Sequence, residues 1–212
     1  IGASGYPELD FDNTYILADP NPDWTGSVRT NFRIGKLSLG GLLDVRAGGV
    51  AYNGTKGALQ HFGVAQITAD TRNAAPVVFG TGYYPANADP TNPGHAVAGP
   101  GVGLAVPLDQ GYWQNIGSVF NGNDAAFLEP GHFVKLREIS LGYTLDQPWV
   151  SRSLGFSSIE LRVAGRNLTS WNDYTGVDPE TSLLGAVTPV QGLNYFNNPQ
   201  SRSWSFSLTL NR

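Results

Sequence analysis

Residues 131–145 carry the clearest alternation of apolar and polar side chains in the chain. From Ile139 to Leu145 every second residue is apolar, and the positions between them hold polar or small side chains. A period of two is the geometry of a β-strand, in which successive side chains point to opposite faces of the sheet. The pattern therefore predicts a strand with one apolar and one polar face.

Four other segments repeat this design, at residues 26–34, 37–47, 158–169 and 201–212. The first two are separated only by Gly35-Lys36, a pair that suits a tight hairpin turn with glycine first. We expect an all-β fold: an antiparallel up-and-down meander of five or six strands, the sixth lying near Thr14–Leu17. Four of the five clear segments run 9–12 residues, about the length of a membrane-spanning strand, and the fifth, 131–145, runs 15.

The connections between these strands differ greatly in length. Residues 48–130 form a long segment rich in Gly, Pro, Asn and Ala, in which short strands or helical turns are expected at positions that the pattern does not fix. So long a connection is unusual in a compact soluble domain. It is usual in outer-membrane barrels, which have short periplasmic turns and long extracellular loops.

Charged residues concentrate on the polar faces of the predicted strands. In an outer-membrane barrel this face lines the lumen, so the lumen-facing charges would be Arg29, Arg33, Asp44, Arg46, Glu138, Glu160, Arg162 and Arg166. In a soluble β-sandwich the same face would be the solvated outside, and the apolar faces would form a core. Pattern alone leaves three alternatives: a membrane barrel segment, a soluble carbohydrate-binding module, and a structural β-protein that assembles through its edges.

Two cations depart from the pattern. Lys135 and Arg137 share parity with Ile139, which would direct them toward lipid in a barrel. Either they lie at the rim of the apolar band with their aliphatic stems snorkelling, which we favour, or a β-bulge shifts the alternation.

Composition narrows the classes of function. Charged residues are 14 % of the chain, cysteine is absent, and the formal net charge is −4. No basic stripe indicates nucleic acid, and thiol chemistry and disulfides are excluded. Methionine is absent even at position 1, so we expect a processed product or an internal part of a longer protein.

The sequence contains no constellation typical of an enzyme or a metal site. His61, His95 and His132 are isolated, and Asp173, Asp178 and Glu180 lack the spacing of a known calcium loop. Asp44, Glu138 and Glu160 alternate with arginines, which favours cross-strand ion pairs over a catalytic carboxylate pair. We predict no enzymatic activity, no cofactor and no metal.

Aromatic residues in the long connections are the candidates for ligand contact. Flat rings with polar handles stack on sugars, although they equally pack a loop against itself or against a partner protein. The candidates for contact with a ligand or partner are Tyr83, Tyr84, Tyr112, Trp113, Trp171 and Tyr174.

Four segments, in order along the chain, resemble SusC/RagA-like TonB-dependent outer-membrane transporters. They are DPNPDW at Asp19–Trp24, FVKLREISLGYTL at Phe133–Leu145, GRNLTSWNDYTGVDPE at Gly165–Glu180 and PQSRSWSFSLTL at Pro199–Leu210. The resemblance implies the C-terminal portion of a large, plugged barrel in the outer membrane of Bacteroidetes-like bacteria.

The resemblance also implies partners. Such transporters import oligosaccharides or peptides, work with a SusD-like surface lipoprotein and draw energy from TonB through N-terminal parts that this sequence does not contain. We therefore expect contact with outer-membrane lipid, no transport by this segment alone, and no role for nucleic acid. With a periplasmic C-terminus, Tyr143 and Trp149 would lie at the periplasmic interface and Trp204 at the outer one.

Overall fold

A computed structural model describes residues 1–9, 16–80, 100–121, 123–185 and 191–212. The chain divides into two compact units. The sheet unit comprises Pro20–Val50, Pro130–Thr181 and Asn197–Arg212, and the helical unit comprises Ile1–Asp19, Ala51–Glu129 and Ser182–Phe196. Part of the expected sixth strand near Thr14–Leu17 lies outside the described residues.

The described residues form ten strands and three α-helices. The strands are β1 Trp24–Ile34, β2 Leu37–Ala47, β3 Val50–Asn53, β4 Val77–Val78, β5 Ala105–Val106, β6 Leu128–Pro130, β7 Phe133–Leu145, β8 Ser158–Trp171, β9 Leu193–Asn194 and β10 Ser203–Asn211. The α-helices are α1 Gly54–His61, α2 Gln66–Thr71 and α3 Gln110–Asn115. A 3₁₀ turn at Asp124–Phe127 and a π turn at Val150–Leu154 complete the set. Among the described residues, no helix is both long and apolar enough to cross a membrane.

The sheet unit is an antiparallel meander with the strand order β1-β2-β7-β8-β10. Each strand pairs with the next long strand along the chain, as the alternation predicted, so the expected fold class is confirmed. The hairpin between β1 and β2 closes on the pair Ile34 and Leu37. Gly35 occupies the turn with φ 59°, a left-handed conformation that glycine adopts without a steric penalty.

The apolar face of this sheet is open. Its side chains remain substantially exposed, from 40 % for Leu39 to 77 % for Phe206. The exposed apolar residues of this face are Val28, Phe32, Ile34, Leu39, Ile139, Leu141, Tyr143, Leu161, Phe206, Leu208 and Leu210. A β-sandwich would bury these side chains beneath a second sheet. The five-stranded sheet of the described residues leaves them uncovered, so a sandwich does not describe this unit.

A register shift in β7 reassigns the faces of its first residues. Leu42 of β2 pairs with Glu138, but the next residue, Leu43, pairs with Leu136, so Arg137 is an extra residue. Lys135 consequently pairs with Asp44 and lies on the charged face. Our preferred interpretation of these cations, a rim position on the apolar face, is therefore wrong for Lys135. The other interpretation, a β-bulge that shifts the alternation, is the one that the structure shows.

The helical unit shows that much of the 48–130 connection is folded. A small core includes Ile1, Ala58, Trp113 and Phe127, all at most 9 % exposed. Beside it, β3 lies between β6 and β9, and its pairing with β9 is parallel. Asn53 begins α1 because its side chain accepts a hydrogen bond from the Lys56 amide at 3.1 Å, which satisfies a free N–H at the helix start.

We predict that Asn53→Ala destabilises the helical unit by about 1–2 kcal/mol, because it removes the cap and a hydrogen bond to Glu129. Hydrogen exchange of the α1 amides, with the chain in detergent micelles, measures the loss. The control is Asn121→Ala, which removes one exposed hydrogen bond to the Gln114 carbonyl. Equal exchange rates in both variants would contradict the capping role.

Candidate functional site

The charged face of the sheet unit is the candidate site. The strand registers link Arg29 to Leu42, Leu42 to Glu138, and Glu138 to Arg166, so the polar positions of four strands share one face. All eight predicted charges fall on this face: Arg29, Arg33, Asp44, Arg46, Glu138, Glu160, Arg162 and Arg166. Their assignment to a barrel lumen stays a prediction.

Glu138 organises the middle of this face. Its carboxylate lies 3.2 Å from Arg166 Nε and 3.7 Å from a terminal nitrogen of Arg162, both on the neighbouring strand β8. Arg162 also donates a hydrogen bond of 3.0 Å to the Ser140 hydroxyl. These are the cross-strand ion pairs that the alternation of charges predicted. Since both arginines are about half exposed or more, the pairs order the surface without contributing much stability.

A more buried group of charges lies where the β7 bulge occurs. We call it the Lys135 cluster: Lys135, Arg137, Asp44, Asp178 and Glu180. Lys135 Nζ donates to Asp178 and to Glu180, both at 2.6 Å, and only 7 % of its side chain is exposed. Arg137 donates through Nε to Asp44 at 2.6 Å and binds both oxygens of Glu180 through its two terminal nitrogens.

The segment 172–181 supplies two of the cluster's three acids because of its own turn. Asp178 Oδ1 accepts the Glu180 amide at 3.0 Å, and the Asp178 carbonyl accepts the Thr181 hydroxyl at 3.0 Å. An Asx turn of this kind, with proline between the two acids, holds both carboxylates on the same side. The cluster thereby fastens the segment after β8 to strand β7.

The electrostatic balance of the cluster favours charged carboxylates. Burial alone would raise the pKa of Glu180, but the hydrogen bonds from Arg137 and Lys135 outweigh it, and the pKa of Glu180 lies below its ordinary value. The ring of Phe133 adds a further contact, with Lys135 Nζ 4.8 Å from its centroid. Three acids against two bases leave a formal charge of −1.

The carboxylates of the Lys135 cluster are paired with cations of the protein itself. Asp178 and Glu180, considered above as calcium ligands, are both bound by Lys135. Within the described ranges, no group of three or more acidic, histidine or cysteine side chains is arranged to hold a metal ion. The Lys135 cluster therefore positions the 172–181 segment and adds charged side chains to the charged face of the sheet.

The predicted aromatic contacts have different environments. Trp171 is 55 % exposed, whereas Tyr174 and Trp113 are buried. Tyr112 is half-buried and stacks on Tyr6 with centroids 5.9 Å apart. Tyr83 and Tyr84 lie outside the described residues. As contacts for a ligand or partner, all six stay a prediction.

The sequence analysis did not predict that the residues of the Lys135 cluster meet. The available signals were the wrong parity of Lys135 and Arg137, and the acids of the Asp178-Pro179-Glu180 motif about 40 residues later. Two cations on an apolar face indicate either a position at the rim of the apolar band or an ion pair with acidic side chains. The two acids on the Asp178-Pro179-Glu180 turn would have indicated the ion pair.

We predict that Lys135→Met destabilises the sheet unit by about 3–5 kcal/mol, because it leaves the buried Asp178 carboxylate without its cation. Urea unfolding in detergent micelles measures the change, and protease cleavage within 172–181 should accelerate. The matched control is Lys36→Met, since Lys36 pairs with Asp146 in an exposed position. If both variants shift the urea midpoint equally, the cluster does not anchor the segment.

The lowered pKa of Glu180 also predicts a dependence on pH. Its contribution to the free energy of unfolding is complete above its ordinary pKa of 4.5 and disappears as the pH falls through the lower folded value. Urea midpoints of the chain should therefore fall below about pH 4.5, and Glu180→Gln should weaken that fall. An unchanged acid profile in the variant would exclude Glu180 as a source.

Comparison with known proteins places this geometry in a family context. No family model matches the chain. It is 25 % identical over 211 residues to the TonB-dependent receptor P3 of Formosa agariphila, an alignment that covers 97 % of the chain and 18 % of that protein. Neither this relative nor the structures below are named as enzymes.

Solved structures of the RagAB peptide importer have the same fold. The match to its closed-closed state has a TM-score of 0.53 at 16 % identity, over 93 % of the chain and 18 % of that protein. The open-open state matches with a TM-score of 0.52 at 16 % identity, over 91 % and 17 %. The chain thus spans less than a fifth of the proteins that it matches.

The resemblance recognised from the four motifs is confirmed: the chain is similar over nearly its whole length to a segment of a TonB-dependent receptor, and its fold is similar to part of the RagAB peptide importer.

Proposed function

We propose that this chain forms part of the barrel wall of a TonB-dependent transporter in an outer membrane. The single observation that carries the proposal is the sheet unit's two-faced design, with an uncovered apolar face opposite a charged one. In water, so many large apolar side chains on one face would be costly to expose. In a bilayer they face hydrocarbon, and the charged face lines a polar lumen.

Aromatic residues at both ends of the strands support a membrane position. Trp24, Trp171 and Trp204 lie at the ends of β1, β8 and β10 from which the long connections leave, and each is at least 55 % exposed. Tyr143 and Trp149 lie at the opposite end and are 41 % and 49 % exposed. Aromatic girdles of this kind mark the two interfaces of an outer-membrane barrel.

The strand length agrees with the same geometry. At a rise of about 3.4 Å per residue and a tilt of about 40°, the eleven residues of β1 ascend about 26 Å. The apolar band of such barrels is about 25 Å tall. The distance between the two aromatic ends therefore suits one membrane crossing.

The edges of the sheet support assembly into a larger barrel. In the described sheet, β1 and β10 each have only one neighbour. A barrel has no free edges, so under this proposal each of them pairs with a strand of a longer receptor. Five strands are too few to enclose a lumen of transport size, and the segment would transport nothing by itself.

The imported substrate and the partners are part of the proposal. The name of the RagAB importer makes a peptide one candidate cargo, and the resemblance to the wider family adds oligosaccharides. A SusD-like surface lipoprotein would cover the extracellular side, and TonB would act through a plug elsewhere in the receptor. The long connections, which leave the Trp24 end of the sheet, would then be extracellular.

We predict that Phe206→Lys weakens association of the chain with lipid by about 2–4 kcal/mol, because it places a charge on the lipid face. Its neighbour Ser207 lies on the opposite face of β10, so Ser207→Lys is the matched control and should change little. Flotation with phosphatidylcholine vesicles measures the bound fraction, and brominated lipid should quench tryptophan fluorescence.

Two outcomes would contradict a membrane barrel. The first is a chain that stays monomeric in water without detergent and does not float with the vesicles. The second is an equal loss of lipid binding in both variants, which would mean that the two faces of β10 do not differ in their contact with lipid.

A further inference from the structure

The connection from β8 to β10 leaves the sheet and returns to it beside the β7 bulge. Its first part is the 172–181 segment, which the Lys135 cluster holds. Its last part, residues 199–202, leads into β10, and we call it the return leg. Both parts belong to the sheet unit. They differ in their burial and in the kind of bond that holds them.

The 172–181 segment is fixed by buried groups. Tyr174 and Asp178 are each 7 % exposed. Lys135 binds both Asp178 and Glu180 at 2.6 Å, and its own side chain is almost fully buried. Releasing this segment would leave buried charges without partners, which is strongly unfavourable. The segment should therefore stay in place when only exposed bonds are lost.

The return leg is exposed at all four of its residues. Gln200 attaches it to the Lys135 cluster through both ends of its side-chain amide. The carbonyl accepts a hydrogen bond from Arg137 Nη1 at 3.1 Å, and the NH₂ group donates one to Glu180 Oε2 at 3.0 Å. Exposed hydrogen bonds exchange readily with bonds to water, so these two hold the return leg only weakly.

The ladder between β8 and β10 does not extend to the return leg. Its last pair is Arg166 with Ser203, whereas β8 continues along β7 to its last residue. Asn167 has φ 51°, and its side-chain amide donates to the Ser201 carbonyl at 3.1 Å. Pro199 has no N–H to donate. Side-chain hydrogen bonds, and not a continued sheet, therefore hold the return leg.

A hollow of about 160 Å³ lies between the two parts of the connection. Residues 177–179 line one side, the return leg lines the other, and residues 167–170 of β8 complete the wall together with Lys135. Close-packed side chains would leave no such space. At this point the return leg can therefore move without pulling packed side chains apart.

We propose that the return leg is a latch. In the closed state, which the structure shows, Gln200 bonds to Arg137 and Glu180. In the open state those two bonds are broken and the return leg turns away from the β7 bulge, while the 172–181 segment stays bound to Lys135. Opening the latch uncovers the hollow beside the charged face.

The latch gives the proposed barrel a movable part in its wall. It lies near Trp171 and Trp204, at the end of the sheet from which the long connections leave. Its position at an extracellular mouth rests on the proposed function. Its opening does not, because every residue involved belongs to the sheet unit. The latch changes the shape of the wall without breaking a strand pair.

The test measures distances between pairs of spin labels on the full chain in detergent micelles. The chain has no cysteine, so two introduced cysteines carry the only labels. One pair, Val177→Cys with Glu160→Cys, joins the 172–181 segment to β8. The other, Ser201→Cys with Glu160→Cys, joins the return leg to the same position. We expect a single distance for the first pair and separate closed and open distances for the second.

Gln200→Leu should raise the ratio of open to closed distances of the Ser201 pair about tenfold, because two hydrogen bonds are lost. The distance of the Val177 pair should not change. The control is Gln147→Leu, which removes the exposed hydrogen bond from Trp149 to a glutamine at the opposite end of the sheet. The urea midpoint should be the same in both leucine variants, which separates opening of the latch from unfolding.

Three results would overturn the latch. They are Ser201 distances that Gln200→Leu leaves unchanged, an equal change in both label pairs, and a urea midpoint that falls in Gln200→Leu but not in Gln147→Leu. The label distances need no lipid, so a chain that shows the latch but does not float with vesicles would refute the membrane proposal alone. Flotation of a chain without the latch would do the reverse.

Discussion

The separation of an apolar face from a charged face is the constraint on which the sheet unit depends. Leu42 and Phe133 lie on the charged face, but the paired charges of β1, β2, β7 and β8 all lie on that face too. A charge on the opposite face would lie among the apolar side chains. The β7 bulge follows from this constraint. By adding Arg137 as an extra residue, the strand transfers Lys135 to the charged face and Leu136 to the apolar one, and the separation survives.

The bulge also creates a need for partners. Moving a lysine to the charged face and burying 93 % of its side chain is unfavourable unless carboxylates meet it. Asp178 and Glu180 meet it because the turn after β8 holds both acids together. Removing one partner of a buried ion pair is strongly destabilising, even where the intact pair contributes little net stability. The cluster is therefore better understood as fixing where the 172–181 segment lies than as a source of general stability.

Local patterning predicted the long strands and little else. Alternation with period two identified β1, β2, β7, β8 and β10, and Gly35 identified the hairpin, because both signals reside in neighbouring residues. The parity change at Arg137 depends on acids some 40 residues away, which no local pattern reports. The helices α1, α2 and α3 are six to eight residues long, too short for a helical period to emerge. Their N-caps, Asn53 and Asp109, each accept a backbone amide of the first turn, and the sequence analysis did not identify them.

The exposure of individual strands indicates how this sheet achieves stability. Central β7 pairs along its length with β2 and β8, and several of its residues are buried. Every residue of β10 is exposed, and nearly every residue of β1. Stability should therefore decline from β7 toward both edges, because an edge residue has half the cross-strand contacts of a central one. If neighbouring strands of a barrel complete the pairing, both edges gain those contacts. In their absence the edges remain open to other chains, so edge-to-edge self-association and barrel assembly are two outcomes of the same unpaired backbone.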